Sequence, residues 1–236
     1  MLYRMLLAAA MLAALFGAGA GAQEEGKLAY AWRAEAKYPV FGDERLDRKV
    51  RGWVEKRIGQ LMDEVKDSAT ADYEGSWEAG LSYELSRPSA KAVSVAFIIY
   101  TYPSGAAHPS SATEILNLST ETGRELFLGD LFDDPDKALA IFAEHAPELV
   151  GALFKTENPK DFPDGMSDEY FFEEGFLPTR ENYANLSLTP EGVRVHFRQY
   201  QILPYVFGMP APLFSLALLA PAGPNPDIWP AGEDGK

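Results

Sequence analysis

The sequence contains no cysteine among its 236 residues, and this absence excludes several kinds of protein. Without cysteine there is no disulfide scaffold, no thiol nucleophile, no lipid-modified cysteine anchor and no cysteine-based zinc site. Stability must therefore come from a packed core. The composition can supply one, since 47% of the residues are hydrophobic and 12% are aromatic.

Histidine is also scarce, with three residues, and the common catalytic motifs are missing. The chain has no Gly-x-Ser-x-Gly elbow, no phosphate-binding loop and no dinucleotide-binding glycine pattern. The nearest group of metal-ligand types, Glu144-His145 with Glu148, lacks a second histidine at helical spacing. The aspartates within residues 130–136 lack the glycine and glutamate of a calcium loop, and helix capping accounts for them better. We therefore predict that the protein is not an enzyme and carries no cofactor or metal.

Positive charge is in short supply as well. Lysine and arginine number 21 against 35 aspartates and glutamates, a net charge of −14. Such a surface repels nucleic acid and anionic lipid, and it raises the encounter rate with cationic partners. An acidic surface that serves only solubility is the alternative.

The first 22 residues have the three parts of a secretory signal in the correct order. Arg4 is a positive n-region, residues 5–16 are apolar, and the segment ends in the small residues Ala20-Gly21-Ala22. We predict cleavage before Gln23, which places the protein in the bacterial periplasm or outside the cell with no transmembrane segment remaining. A retained N-terminal anchor is the alternative.

The pattern of apolar residues predicts an α+β fold. Residues 27–37 alternate like a half-buried strand, and residues 43–66 carry an apolar stripe at helical spacing. Strands are predicted at 76–86 and at 92–102. This β-α-β-β block, residues 23–102, is predicted to form an N-terminal domain.

The second half, residues 103–220, is predicted to form a β-rich C-terminal domain. It contains a strand at 114–118, a helix that begins at Asp134-Pro135, a hairpin at 185–197 and a last strand at 213–219. We expect two small antiparallel sheets, each packed with helix. The Pro- and Gly-rich residues 221–236 are predicted to be a disordered tail.

Three segments carry more information than composition does. They are residues 102–109 (YPSGAAHP), residues 118–132 (LSTETGRELFLGDLF) and residues 197–208 (FRQYQILPYVFG). In this order they resemble the extracytoplasmic domain of unknown function found in RsiV-type anti-sigma factors. The preceding β-α-β-β block is similar to the companion domain shared with PdaC-type peptidoglycan deacetylases. The chain departs from the family pattern at Ala106, usually Gly, and at Val206, usually Ala.

The resemblance implies an extracytoplasmic binding domain. RsiV-type proteins are membrane-anchored and sense lysozyme with this domain, whereas this chain begins directly with its predicted signal, so a sigma-factor role is not expected. The deacetylases use a His-x-x-x-His metal motif, but Ala112 stands four residues after His108. Deacetylation is therefore not expected either.

Both turn motifs suit a binding edge. Gly105 allows an unusual backbone conformation, His108 precedes a proline, and Pro204-Tyr205 presents a rigid aromatic ring. The predicted binding residues are Gly105, His108, Pro109, Tyr200, Pro204, Tyr205 and Gly208. Alternatively, these are ordinary turns whose Tyr and His satisfy buried hydrogen bonds.

Two hypotheses of function follow. The first is an exported, non-catalytic envelope protein that binds a basic protein such as a lysozyme-type muramidase. The second is a peptidoglycan-acting enzyme or glycan-binding accessory module that uses His108 and nearby carboxylates, whose separation the sequence does not fix. An envelope scaffold with no defined ligand is a third alternative.

Overall fold

A computed structural model describes residues 25–30, 34–68, 77–103, 106–162 and 164–230 of the chain. These residues form helices and two small sheets, so the predicted α+β class is confirmed. The predicted signal segment, residues 1–22, lies outside the described residues. Among the residues that are described, no helix is both long and apolar enough to cross a bilayer.

The first sheet has five strands, in the spatial order in which they occur along the chain. They are β1 (Glu25–Tyr30), β2 (Ala34–Pro39), β3 (Trp77–Ser89), β4 (Ala92–Pro103) and β5 (Ser110–Ser119). The strands predicted at 76–86, 92–102 and 114–118 are therefore confirmed as parts of β3, β4 and β5.

The single strand predicted over residues 27–37 is instead two strands. β1 and β2 pair antiparallel, with Tyr30 opposite Ala34. Residues 31–33 lie outside the described residues. Apolar and polar residues alternate in the same way in both strands, so the alternation alone does not reveal that the strands run in opposite directions.

Helix α1 (Glu44–Ser68) confirms the predicted helix and explains why the first sheet is mixed. It joins β2 to β3, which run parallel, with Ala34 opposite Ala79. Parallel neighbours need a crossover connection, and the helix provides it. The prediction of two purely antiparallel sheets is therefore corrected for this one strand pair.

The apolar stripe of α1 covers one face of the first sheet. Trp53 of the helix stacks on Phe97 of β4, with ring centroids 4.2 Å apart and planes 10° from parallel. The fully or nearly fully buried residues of this first core include Ala36, Val50, Val54, Ile58, Leu81, Val93, Val95, Phe97, Leu116 and Leu118.

The second half contributes a three-stranded antiparallel sheet and the remaining helices. Its elements are α2 (Leu128–Leu131), α3 (Pro135–Glu157), β6 (Leu186–Thr189), β7 (Gly192–Val195), β8 (Leu213–Ser215) and α4 (Leu216–Leu219). The predicted hairpin is β6 and β7. The predicted last strand ends at Ser215 and continues as a helical turn, because the Ser215 hydroxyl caps that turn by accepting from the Leu218 amide at 3.3 Å.

β5 was assigned to the second domain by the prediction but pairs with β4 in the first sheet. The two sheets are also joined by buried polar groups. The Leu188 amide donates to the Ser94 hydroxyl at 3.1 Å, and the Asn117 side-chain amide donates to the Leu186 carbonyl at 2.7 Å. Such buried bonds fix the relative position of the strands that make them.

The structure differs from the predicted disordered tail over residues 221–230. Ile228 and Trp229 are buried in the second core, and the Trp229 indole donates to the Thr189 carbonyl at 2.8 Å. The prediction of disorder depended on the Pro- and Gly-rich composition of this segment and gave no weight to Ile228 and Trp229, which pack in the core.

Candidate functional site

The first predicted motif forms the connection between β4 and β5. His108 is exposed, and its Nδ1 lies 3.0 Å from the carbonyl oxygen of Pro109. Gly105 lies outside the described residues. The turn therefore holds His108 and Pro109 at one end of the first sheet, next to the start of β5.

The second predicted motif is a loop in the second half. Pro204 has an extended backbone with φ −56° and ψ 152°, and it opens a single 3-10 turn, Tyr205–Phe207. Gly208 ends the turn with φ 76°, and its amide donates to the Tyr205 carbonyl at 3.0 Å. A positive φ is natural for glycine, so this position explains why a glycine closes the motif.

The two motifs meet. The His108 and Tyr205 rings lie 4.0 Å apart between centroids, tilted by 32°, and the Tyr205 hydroxyl donates to the Pro109 carbonyl at 2.8 Å. The Tyr200 ring follows on, 5.8 Å from that of Tyr205. We call His108, Tyr205 and Tyr200 the aromatic ladder. Residues 97 positions apart in the chain thus form one continuous surface feature.

Tyr200 carries the feature that sequence reasoning could not anticipate. Its φ is 63°, the sole positive φ at a non-glycine residue among those described, and its side chain is 56% exposed. A left-handed conformation at a bulky residue costs free energy and tends to occur at functional sites. This backbone conformation places the exposed Tyr200 ring beside Tyr205.

Val206 is a surface residue that is not among the predicted site residues. It lies between Tyr205 and Phe207 and is 80% exposed. Phe207 points the other way, with its ring 6.0 Å from that of Phe154 and 5.4 Å from that of Tyr170. The turn therefore presents one apolar side chain to solvent while its neighbour anchors it to the second core.

Gly175 connects the segment before β6 to this loop. A Cβ placed on Gly175 would lie 2.0 Å from the carbonyl oxygen of Gln201. The side-chain amide of Gln201 also donates to the Gly175 carbonyl at 3.1 Å. We call residues 197–208 the ladder loop. Only a glycine at position 175 allows this approach, so the segment of residues 168–177 packs directly against the ladder loop.

Two of the four aspartates of residues 130–136 accept capping hydrogen bonds. Asp134 accepts from the Lys137 amide at 2.9 Å at the start of α3, and Asp130 accepts from the Phe127 amide at 2.9 Å. A hydrogen bond from the Arg124 guanidinium lowers the pKa of Asp130 below its ordinary value. In the portion of the chain that is described, no three or more His, Asp and Glu side chains are grouped so as to hold a metal ion.

One polar pair could be mistaken for a catalytic dyad. Ser187 Oγ and His196 Nε2 lie 2.7 Å apart, but Ser187 is 6% exposed and sits within β6. Burial, with a smaller contribution from the nearby Arg194, lowers the pKa of His196 to about 4. The histidine is therefore neutral at physiological pH, and the pair serves to satisfy two enclosed polar groups.

The described residues form a polar cleft that does not include the ladder. This cleft of about 360 Å³ includes Lys91, Arg124 and Asp227 in its lining and opens at the other end of the β4–β5 hairpin. Its cations are already paired: Lys91 with Asp227 at 2.7 Å and Arg124 with Asp130 at 2.7 Å. None of His108, Tyr205 and Tyr200 lines this cleft, and the exposed rings of His108 and Tyr200 suit contact with another macromolecule.

Comparison with known proteins finds one relative named as a peptidoglycan deacetylase and two solved structures with a similar fold. The chain is 24% identical over 165 residues to the peptidoglycan-N-acetylmuramic acid deacetylase PdaC of Bacillus subtilis, a match that covers 70% of this chain and 33% of the enzyme. The chain thus spans about a third of the length of that relative.

Two solved structures share the fold. A DUF3298 family protein from Pseudomonas aeruginosa PAO1 superposes with a TM-score of 0.58 at 17% identity, covering 89% of this chain and 96% of the other. A member of the same family from Bacteroides fragilis gives a TM-score of 0.52 at 18% identity, covering 88% and 94%. Residues 129–215, which include Tyr200 and Tyr205 but not His108, match the family model described as "Protein of unknown function (DUF3298)", so this part of the chain is similar to a DUF3298 domain.

Proposed function

We propose that this protein is an exported, non-catalytic protein of the bacterial cell envelope that binds a basic protein, such as a lysozyme-type muramidase, through the aromatic ladder. The observation that carries the proposal is the stack of the exposed His108 and Tyr200 rings beside the half-buried Tyr205 ring, with a hydrogen bond between the two halves and a positive φ at Tyr200. Rigid, exposed tyrosines are typical of protein-binding surfaces because they contribute a large contact area at a low cost in side-chain entropy.

Charge supports a cationic partner. The net charge is −14, and four exposed carboxylates lie on the segment packed against the ladder loop: Asp168, Glu169, Glu173 and Glu174. Attraction between these groups and a basic protein speeds association and weakens as salt is added.

An envelope location is supported by the predicted signal and by a relative named as a peptidoglycan deacetylase. The resemblance to the RsiV-type extracytoplasmic domain supports the same location and the lysozyme-type partner. A periplasmic fraction containing protein that starts at Gln23, as measured by intact mass, would support export. Protein that keeps residues 1–22 and stays in the membrane would indicate the anchored alternative.

The stacking of the ladder argues against a glycan platform. Sugar rings pack on open aromatic faces, but the Tyr205 ring is already in contact with two others, His108 at 4.0 Å and Tyr200 at 5.8 Å. Tyr205 is half-buried, whereas His108 and Tyr200 are exposed. A protein surface can use such an arrangement more readily than an extended chain of sugars can.

Calorimetry of the mature chain against a c-type lysozyme, at low and at physiological salt, tests the proposal. We expect binding that weakens with salt and that falls at least about tenfold in Tyr200→Ala and in His108→Ala, as expected for central aromatic contacts. Phe127→Ala is the matched control, because Phe127 is 63% exposed but lies beside the distant polar cleft. No heat at either salt would contradict the lysozyme partner. Retention on purified sacculi that is lost in His108→Ala would favour the glycan-binding alternative.

A further inference from the structure

A second surface adjoins the ladder and has a composition of its own. The segment of residues 168–177 exposes Phe172 and Leu177, which are 43% and 54% accessible, together with Tyr170. Val206 of the ladder loop lies beside Phe207, whose ring contacts that of Tyr170 at 5.4 Å. We call this surface the acidic apolar patch: Tyr170, Phe172, Leu177 and Val206, with the exposed carboxylates Asp168, Glu169, Glu173 and Glu174.

Hydrogen bonds fix the backbone of the acidic apolar patch in place. The Phe172 amide donates to the Ile202 carbonyl at 2.9 Å, and the Asn182 side-chain amide donates to the Leu177 carbonyl at 3.1 Å. Their neighbours Phe171 and Phe176 face inward, with rings 5.3 Å apart. Phe171 and Phe176 of this segment therefore pack in the second core, whereas Phe172 and Leu177 remain in solvent. Folding alone does not require these two exposed apolar side chains.

Exposed apolar groups in this number mark an interaction site, and the charge around them selects the occupant. The nearby cations are already engaged: Arg180 lies 3.5 Å from Asp136, and Arg198 lies 3.9 Å from Glu181. The four carboxylates therefore dominate the local field. A second copy of this chain, with its net charge of −14, would be repelled, and so would an anionic lipid surface.

We propose that the acidic apolar patch binds cationic amphipathic peptide segments, in which an apolar face contacts Phe172 and Leu177 and flanking lysines or arginines pair with the surrounding carboxylates. The required ligand chemistry is an alternation of apolar and basic side chains on two faces, as on an amphipathic helix. This binding shares its four carboxylates with the proposed function but uses Phe172 and Leu177 in place of His108 and Tyr200. Loss of peptide binding in the variants of Phe172 and Leu177 is therefore distinguishable from loss of lysozyme binding in the variants of His108 and Tyr200.

The test measures binding of a fluorescent peptide of leucine and lysine, about four helical turns long, with the two residue types on opposite faces. A peptide of the same composition, scrambled so that leucine and lysine occur on all faces, is the control ligand. We expect the amphipathic peptide to bind at least about tenfold more tightly than the scrambled one, since only it can bury a continuous apolar face. Equal binding of the two, or no binding, would overturn the proposal.

Variants then locate the site. The double variant Phe172→Ser with Leu177→Ser should weaken binding at least about tenfold, because both contacts are lost. Phe127→Ser removes a ring that is more exposed than that of Phe172, 63% against 43%, but lies elsewhere, so binding should not change. The double variant Glu173→Gln with Glu174→Gln should weaken binding at low salt and lose most of the salt dependence. An unchanged affinity in the first variant, or an equal loss in Phe127→Ser, would refute the site. Matching thermal unfolding of all variants confirms that each is folded.

Discussion

The hydroxyl of Tyr205 donates to the carbonyl of Pro109 at 2.8 Å and so joins the ladder loop of the second half to the turn between β4 and β5 in the first sheet. The bond places His108 over the Tyr205 ring, 4.0 Å away. Neither motif forms the ladder alone. The surface exists only when both halves have folded and docked, which makes it a feature of the tertiary structure.

The first prediction concerns that bond. Tyr205→Phe keeps the ring and removes the donor, so the free energy of unfolding should fall by about 1 kcal/mol, the usual net worth of such a bond. Urea unfolding at neutral pH measures the change. Tyr170→Phe is the control, because Tyr170 is exposed and its hydroxyl should matter little. Equal stability of Tyr205→Phe and the unmodified protein would show that the bond contributes nothing.

The second prediction separates strain from contact at Tyr200. Tyr200→Ala and Tyr200→Gly both remove the ring, but only glycine accepts the φ of 63° without strain. The free energy of unfolding of the glycine variant should therefore be about 1 kcal/mol larger than that of the alanine variant. Thermal or urea unfolding of the pair provides the comparison. If alanine is the more stable of the two, the backbone of Tyr200 is not strained.

The third prediction concerns acid pH and His196. Its folded pKa of about 4 lies below the ordinary value of 6.5, so the unfolded chain binds the proton more readily than the folded one. Stability is therefore complete above about pH 6.5 and is lost as the pH falls toward 4, by on the order of 2 kcal/mol in total. Urea unfolding at a series of pH values reports this loss.

His196→Asn is the control for the pH profile. It keeps a polar side chain near Ser187 but does not titrate, so its stability should be lower at neutral pH and flatter between pH 6.5 and 4. A variant whose stability falls with acid as steeply as that of the unmodified protein would assign the pH dependence to other groups.

The fourth prediction contrasts two glycines. Gly175→Ala places a Cβ 2.0 Å from the Gln201 carbonyl, whereas Gly52→Ala in α1 meets nothing within 4 Å. The first should destabilise the protein by about 2 kcal/mol or more through overpacking against backbone. The second should stabilise it by about 0.5–1 kcal/mol, because alanine favours the helix. Chemical unfolding of the two variants side by side checks both signs, and an equal effect would contradict the close approach at Gly175.

Much of the fold could be predicted from the sequence because its elements have strong local patterns. The stripe of α1 and the cap of α3 at Asp134 follow from spacing and capping chemistry. The β1–β2 reversal and the burial of Trp229 could not be found in this way, since the first preserves alternation and the second depends on a distant partner, Thr189. Local pattern says little about which segments meet.

The same limit applies to the site. His108 and Tyr205 are both among the predicted binding residues, but the sequence does not predict that they meet, and the structure places their rings in contact. The strained backbone of Tyr200 and the exposure of Val206 have no sequence signal, because any residue can be forced into an unfavourable conformation or left in solvent by tertiary packing. Phe172 and Leu177 were indistinguishable from core residues in the sequence.

The β4–β5 hairpin contacts the second half near both of its ends. Tyr205 meets its turn at Pro109, the Ser94 and Asn117 side chains bond to β6, and Lys91 at the opposite end pairs with Asp227 at 2.7 Å. A force applied by a partner at the aromatic ladder is therefore transmitted along two paired strands to the opposite end of the hairpin. Under such a force we expect the two cores to unfold together in a single step.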